Sequence, residues 1–158
     1  MPNESPSDFM ELAIRLAVEN VATGGGPFGA VVVRDGKVIA TGVNQVTATN
    51  DPTAHAEMVA IRAACSKLHA FQLQGCDVYA SCEPCPMCLG ALYWARPRAI
   101  YYASTQVDAA EAGFDDRFIY EEIERPRDAR QLPMIRLAPS TTGDEFRRWK
   151  TSPQRTDY

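Results

Sequence analysis

Three cysteines at three-residue spacing occur in the stretch Ser81-Cys82-Glu83-Pro84-Cys85-Pro86-Met87-Cys88, and about thirty residues earlier His55 is followed two positions on by Glu57. No other feature restricts this chain's fold as much. Thiolate and imidazole are the ligands of tetrahedral zinc, and a zinc ion that does chemistry keeps one of its four positions open. Residues three apart share a helix face, so Cys85 and Cys88 converge if Pro86 takes the first helical position and Cys85 caps it. The helix dipole and the unpaired N–H groups at such a start favour thiolates. His55 and Glu57 are two apart, which in a helix interior points them to nearly opposite sides. They share a target only off a helix end. The spacings therefore predict two helix starts facing each other across one ion.

Asp51-Pro52-Thr53 predicts the second of those starts, with Asp51 as cap and Pro52 at the first helical position, or with Thr53 as cap. Cys82 leaves two arrangements open. His55 with Cys82, Cys85 and Cys88 would make a closed structural site, whereas His55, Cys85 and Cys88 alone leave a position for water. Charge favours the second. Two thiolates and a neutral imidazole give a formally neutral zinc centre, and a third thiolate would make it anionic and poorer at acidifying water. A structural zinc also has no use for Glu57. On the open reading Cys82 is a buried thiol near the site, and Glu57 takes the proton of a zinc-bound water, delivers it to a ring nitrogen and then protonates a departing amine.

With 158 residues the chain is expected to form one domain around one core. A net charge of -4 and a pI near 5.2 argue against a broad grip on phosphate backbones and favour a small-molecule substrate. Apolar runs stay well short of the ~18 residues of a membrane span. The opening residues Met1-Pro2-Asn3-Glu4-Ser5 show neither the basic nor the apolar part of a secretory signal, and five cysteines is an odd count for a disulfide framework. The expected compartment is the reducing cytoplasm, where clustered cysteines bind metal.

Along the chain, Ser7 or Asp8 with Glu11 predicts a capped first helix ending near Asn20. The glycines of Thr23-Gly24-Gly25-Gly26-Pro27-Phe28-Gly29 match a GxGxxG spacing, but they follow a helix and open a strand, the reverse of a dinucleotide fingerprint. Residues 30–33 and 38–40 flank Arg34-Asp35-Gly36-Lys37 as a hairpin. A helix carries Met58, Ile61, Cys65 and Leu68 on its apolar face. Strand 77–81, a helix from Pro86 and strand 98–103 form a parallel crossover unit. Helices are expected over 107–112 and 115–124 with Gly113 between them, a last strand over 134–137, and a terminal helix over 145–150.

His-x-Glu with Pro-Cys-x-x-Cys is the signature of zinc deaminases, and the chain resembles members of the cytidine deaminase-like superfamily. Gly25-Gly26-Pro27-Phe28-Gly29-Ala30, Asp51-Pro52-Thr53-Ala54-His55-Ala56-Glu57, the cysteine stretch and Ala112-Gly113-Phe114-Asp115-Asp116 together are similar to bacterial guanine deaminases. The likeness runs from Phe9 to Tyr158. It implies a three-layer α/β/α sandwich with a five-stranded mixed sheet, one zinc per subunit, and hydrolysis of guanine to xanthine and ammonia. It also implies a homodimer in which the C-terminal segment, about 140–158, is exchanged. Zinc ligands would be His55, Cys85 and Cys88, with Glu57 as proton shuttle. Phe28 would stack on the base, Asn44 would bond a ring acceptor, and Asp116 would read the donor edge, with Tyr158 arriving from the other subunit.

Three rivals follow from the same residues. A tRNA adenosine deaminase shares the His-Ala-Glu and Pro-Cys-x-x-Cys elements, but the acidic balance and Gly113-Phe114-Asp115-Asp116 speak against it. Guanosine or other purine and triazine deaminases share much of the pattern. A non-catalytic Cys3His zinc module is the alternative outside the enzymes.

Overall fold

Ser5 opens the first helix, and it is the first residue that the computed structural model describes; the described residues are 5–158. The chain divides into two compact units, one ending at Phe118 and one running from Ile119 to Tyr158. In the first, helix α1 (Pro6–Ala22) is capped by Ser5, whose hydroxyl faces the Asp8 backbone while the Asp8 carboxylate accepts from the Ser5 N–H. The reciprocal cap lies two residues before the position expected for Ser7, because Pro6 is preorganised for the first helical turn.

Strands β1 (Gly29–Arg34) and β2 (Lys37–Val43) form the expected hairpin, and both turn residues, Asp35 and Gly36, have positive φ. That conformation matches the right-handed twist of the strands. A short helix α2 (Val46–Thr49) follows, then α3 (Ala56–Leu68), strand β3 (Cys76–Cys82), helix α4 (Pro86–Ala95) and strand β4 (Ala99–Ser104). The sheet order is β2-β1-β3-β4, with β1 antiparallel to both neighbours and β3 parallel to β4 across α4. Helices α5 (Gln106–Glu111) and α6 (Arg117–Glu124) come after the sheet, with Gly113 at φ 93° in the break between them.

Helices cover both faces of this mixed sheet. On one face Phe9 and Ala13 of α1 pack with Val31, Val33 and Tyr79. On the other, Ala56, Ala60 and Ala64 of α3 and Leu92 and Ala95 of α4 pack with Ala30, Val32 and Val78. The alanine line of α3, not its Met58, Ile61, Cys65, Leu68 stripe, is the deepest part of the helix. Gly42 explains this: a Cβ there would lie 2.2 Å from the Ala56 carbonyl oxygen, so α3 rests directly on β2 and only small side chains fit between. β3 is buried along its whole length, and it is this strand that delivers the chain to the cysteine stretch.

The second unit contains the end of α6, a single 3-10 turn at Arg127–Ala129 and helix α7 (Asp144–Thr151). The strand expected over 134–137 does not form, and the sheet has four strands among the described residues, not five. Met134, Ile135 and Leu137 have the right composition, but a strand without a hydrogen-bonded neighbour has no ladder to hold it.

Candidate metal centre

His55 is itself the cap of α3, in an extended conformation with φ -68° and ψ 157°, so its ring projects off the helix start instead of along its side. The helix therefore begins later than Asp51 or Thr53. Asp51 spends its carboxylate on a local turn, accepting from the Thr53 N–H and hydroxyl at 2.8 and 2.7 Å. Pro86 occupies the first turn of α4 and Cys85 is its cap, as the spacing required.

These two helix starts meet. His55 Nδ1 lies 3.5 Å from both Cys85 Sγ and Cys88 Sγ, and the ligand atoms of the three residues all fall within 4.8 Å of one another. Such a triangle of one imidazole and two thiols, with a helix start behind each, supplies three of the four ligands of tetrahedral zinc. Cys82 stands apart: its thiol donates to the Thr105 carbonyl at 3.6 Å, and burial pushes its pKa up to about 11, so it stays protonated near neutrality.

Protons are shared unevenly inside the triangle, and Cys85 is the group poised as a thiolate. The Cys85 thiol is held down to about 4, chiefly by a hydrogen bond from the Cys88 thiol and then by His55. Cys88 is raised because it supplies that bond from a buried position. His55 is raised mainly by its bond to Cys85, against the opposing effect of burial. Glu57, in the first turn of α3, is only 6% exposed, and its Oε2 accepts from Cys88 Sγ at 3.4 Å. Burial holds its carboxyl above the usual range, which is where a proton carrier is useful.

The other residues singled out in the sequence each make contacts of their own. The Asn44 N–H donates to the Phe28 carbonyl at 3.2 Å, which sets the two segments side by side. Asn44 Oδ1 accepts from the Val46 N–H at 3.2 Å, so its amide nitrogen is the end able to donate to an acceptor. Phe28 and Phe114 meet edge to face with ring centroids 5.0 Å apart at 85°. Together with Ser81, Cys82 and Asp108 they bound a largely apolar cavity of about 280 Å³. Asn44 borders a separate cavity of about 390 Å³ with Asn20, Gly25 and Thr47.

Asp115 and Asp116 are distinguished by their surroundings. Asp115 is exposed and its Oδ1 accepts from the Arg117 N–H at 3.0 Å, as a helix-start acid does. Asp116 is half-buried and accepts from the Gln106 side-chain amide at 2.8 Å. Tyr158 belongs to the second unit, where it is exposed and meets Trp149 edge to face. Sequence reading passed over Gln106 and Glu83, whose bonds span ten and twenty-three residues and leave no periodic trace.

A mixed sheet that brings a helix-capping histidine, two thiols and a buried carboxylate together defines a metal-dependent hydrolytic site. The chain belongs to the cytidine and deoxycytidylate deaminase family, whose zinc-binding region matches residues 3–104. It is 54% identical over 151 residues to the guanine deaminase of Bacillus subtilis, covering 95% of this chain and 97% of that one. The X-ray structure of guanine deaminase from Bacillus subtilis superposes with a TM-score of 0.96 at 52% identity, over 98% of this chain and 99% of that one. A tRNA-specific adenosine deaminase from Aquifex aeolicus is 40% identical over 96 residues, which is 61% of this chain and 64% of the relative.

Among the described residues no helix is long and apolar enough to cross a membrane.

Proposed function

We infer that this protein hydrolyses guanine to xanthine and ammonia. The observation that carries the chemistry is Glu57, a buried carboxylate within hydrogen-bonding distance of the Cys88 thiol, beside a triangle that supplies three of zinc's four ligands. Near full-length likeness to a guanine deaminase supplies the substrate. His55, Cys85 and Cys88 would hold the ion, and bound there zinc would acidify a water molecule.

The protein's own groups do the rest. Glu57 accepts one proton of the water and passes it to the ring nitrogen next to carbon 2 as the water oxygen bonds to that carbon. It then takes the remaining hydroxyl proton and gives it to the amine, which leaves as ammonia when the carbon–nitrogen bond breaks. The raised pKa of Glu57 suits it to hold each proton between uptake and release. Phe28, kept upright by Phe114, offers a stacking face to the base. The Asn44 amide nitrogen donates to a ring acceptor. Gln106 holds one oxygen of Asp116, and the two oxygens together accept from the ring N–H and exocyclic amine of guanine.

The working form is a homodimer with exchanged C-terminal segments, so that Tyr158 closes the partner's site. Support comes from the second unit by itself, which leaves Leu132, Ile135, Leu137 and Phe146 at least 65% exposed. The compartment is the cytoplasm, where thiols at 85 and 88 stay reduced until they meet zinc.

The test is ammonia release from guanine, guanosine, adenine, cytosine and cytidine by the zinc-loaded protein. Guanine should be preferred; a preference for adenine or cytidine rejects the assignment. Mixing a Glu57→Gln chain with a chain lacking residues 152–158 tests the exchange. Hybrids should be more active than either parent, and mixtures no more active than the parents remove Tyr158 from the partner's site.

A further inference from the structure

Asp116 is the one carboxylate proposed to read the substrate, and its position is held from an unexpected direction. Gln106, the first residue of α5, donates its side-chain amide to Asp116 Oδ1 at 2.8 Å. The same residue's backbone N–H donates to Glu83 Oε2 at 2.9 Å, and the Glu83 N–H in turn donates to the Ser104 carbonyl at 2.8 Å. Glu83 lies two residues before Cys85, inside the metal-bearing stretch. A continuous set of hydrogen bonds thus joins the loop that presents the thiolates to the carboxylate ten residues beyond Gln106.

The helix start does not need this amide. Thr105 and Asp108 complete a reciprocal cap on α5, with the Thr105 N–H donating to Asp108 Oδ2 at 2.7 Å and the Asp108 N–H to Thr105 Oγ1 at 3.3 Å. The Gln106 side chain is therefore spare for another role. A neutral amide N–H on one carboxylate oxygen fixes the rotamer and leaves that oxygen's second lone pair, together with the other oxygen, for the two parallel N–H donors of an aminopyrimidinone edge. The same loop carries Phe114, which packs edge to face with Phe28. Holding Asp116 thus also holds the loop that orients the stacking face.

We propose that Gln106 is a positioning residue for substrate recognition, tying the Asp116 carboxylate to the metal-bearing stretch through Glu83. The inference rests on the reading of Asp116 as the group that recognises the base. Its signature is a defect in binding and not in bond breaking, because the metal ligands and Glu57 are untouched.

Zinc-loaded wild type, Gln106→Leu, Gln106→Glu, Asp116→Ala and the double variant Gln106→Leu/Asp116→Ala are compared for kcat and KM with guanine and for zinc per chain. Gln106→Leu should raise KM about tenfold, with kcat within about twofold and zinc unchanged, the scale of one hydrogen bond to a charged group. Gln106→Glu keeps size and puts an acid at a helix start, which the dipole favours, so it serves if the leucine variant folds poorly. It sets carboxylate against carboxylate and should raise KM at least as much. In the Asp116→Ala background, Gln106→Leu should add nothing.

Wild-type KM in either Gln106 variant, while Asp116→Ala raises it, overturns the proposal and leaves the role of Asp116 intact. A Gln106→Leu effect that persists in full on Asp116→Ala means a purely structural role and also overturns it. An unchanged KM in Asp116→Ala removes Asp116 as the reader and the proposal with it.

Discussion

The metal-bearing unit and the C-terminal unit solve opposite problems. In the first, every ligand stands on a helix start whose next turn is buried: Ala56 and Glu57 behind His55, Cys88 and Leu92 behind Cys85. In the second, Leu132, Ile135 and Leu137 are exposed over more than three quarters of their surface, and the only helix wholly inside it, α7, buries no residue. A centre that must keep three ligand atoms within 4.8 Å has its own core. A segment proposed to close the site of another subunit would need an apolar surface left uncovered in its own unit, and this one has it.

The sharpest way to break this contrast is to remove chemistry without touching structure. Glu57→Gln should lower ammonia release about a thousandfold, on the scale of a lost general acid–base group. Zinc per chain and the melting midpoint should hold, since the carboxylate is disfavoured by burial and an amide of the same shape relieves that cost. A variant that loses zinc along with activity would show that Glu57 holds the centre together instead of working on it.

Packing supplies the next test. Leu92 is fully buried in α4 and Leu137 is 83% exposed. Leu92→Ala should cost about 2 to 5 kcal/mol of stability in denaturant unfolding. Leu137→Ala should stay within about 0.5 kcal/mol in a monomer and show instead as weaker association. Equal losses at the two positions would mean the second unit has a core of its own after all.

How far the contrast could be read in the residues themselves follows from the range of the interactions. Cys85 and Pro86 set a helix start through local backbone chemistry, and Asp35-Gly36 set the hairpin turn the same way, so both were legible. The start at His55 was displaced because Asp51 and Thr53 are equally good at closing a turn, and here they do so. The alanine face of α3 depends on Gly42, fourteen residues before the nearest of those alanines, and no helical period reveals that. Residues 134–137 look like a strand in composition, but a strand is a property of its neighbours. Glu57 and the three ligands were visible as a motif; the bond from Gln106 to Asp116 was not, since nothing local marks it.

Cutting away residues 152–158 probes the other side of the comparison. Activity should fall by about ten- to a hundredfold with the loss of Tyr158 from the site, while zinc content and the melting midpoint of the metal-bearing unit stay as they were. Full activity in the truncated chain removes Tyr158 from catalysis and leaves Phe28, Asn44 and Asp116 as the whole recognition set.

The smallest effect separates Cys82 from its neighbours. Its thiol is half a site away in chemistry though only three residues from Cys85: buried, donating to Thr105, with its pKa raised to about 11 from an ordinary 9.0. In the range between those values the folded protein keeps a proton that the unfolded chain releases, so folding is favoured less as pH rises through it. Below about 9 the contribution is fully present. Cys82→Ala removes this dependence, and the stability difference between wild type and variant should therefore shrink on raising the pH from about 9 to about 11, in urea unfolding of the zinc-loaded proteins. The variant should keep one zinc per chain and its activity. Loss of the metal in Cys82→Ala would instead make Cys82 a fourth ligand, close the site to water, and turn the deaminase centre into a structural one.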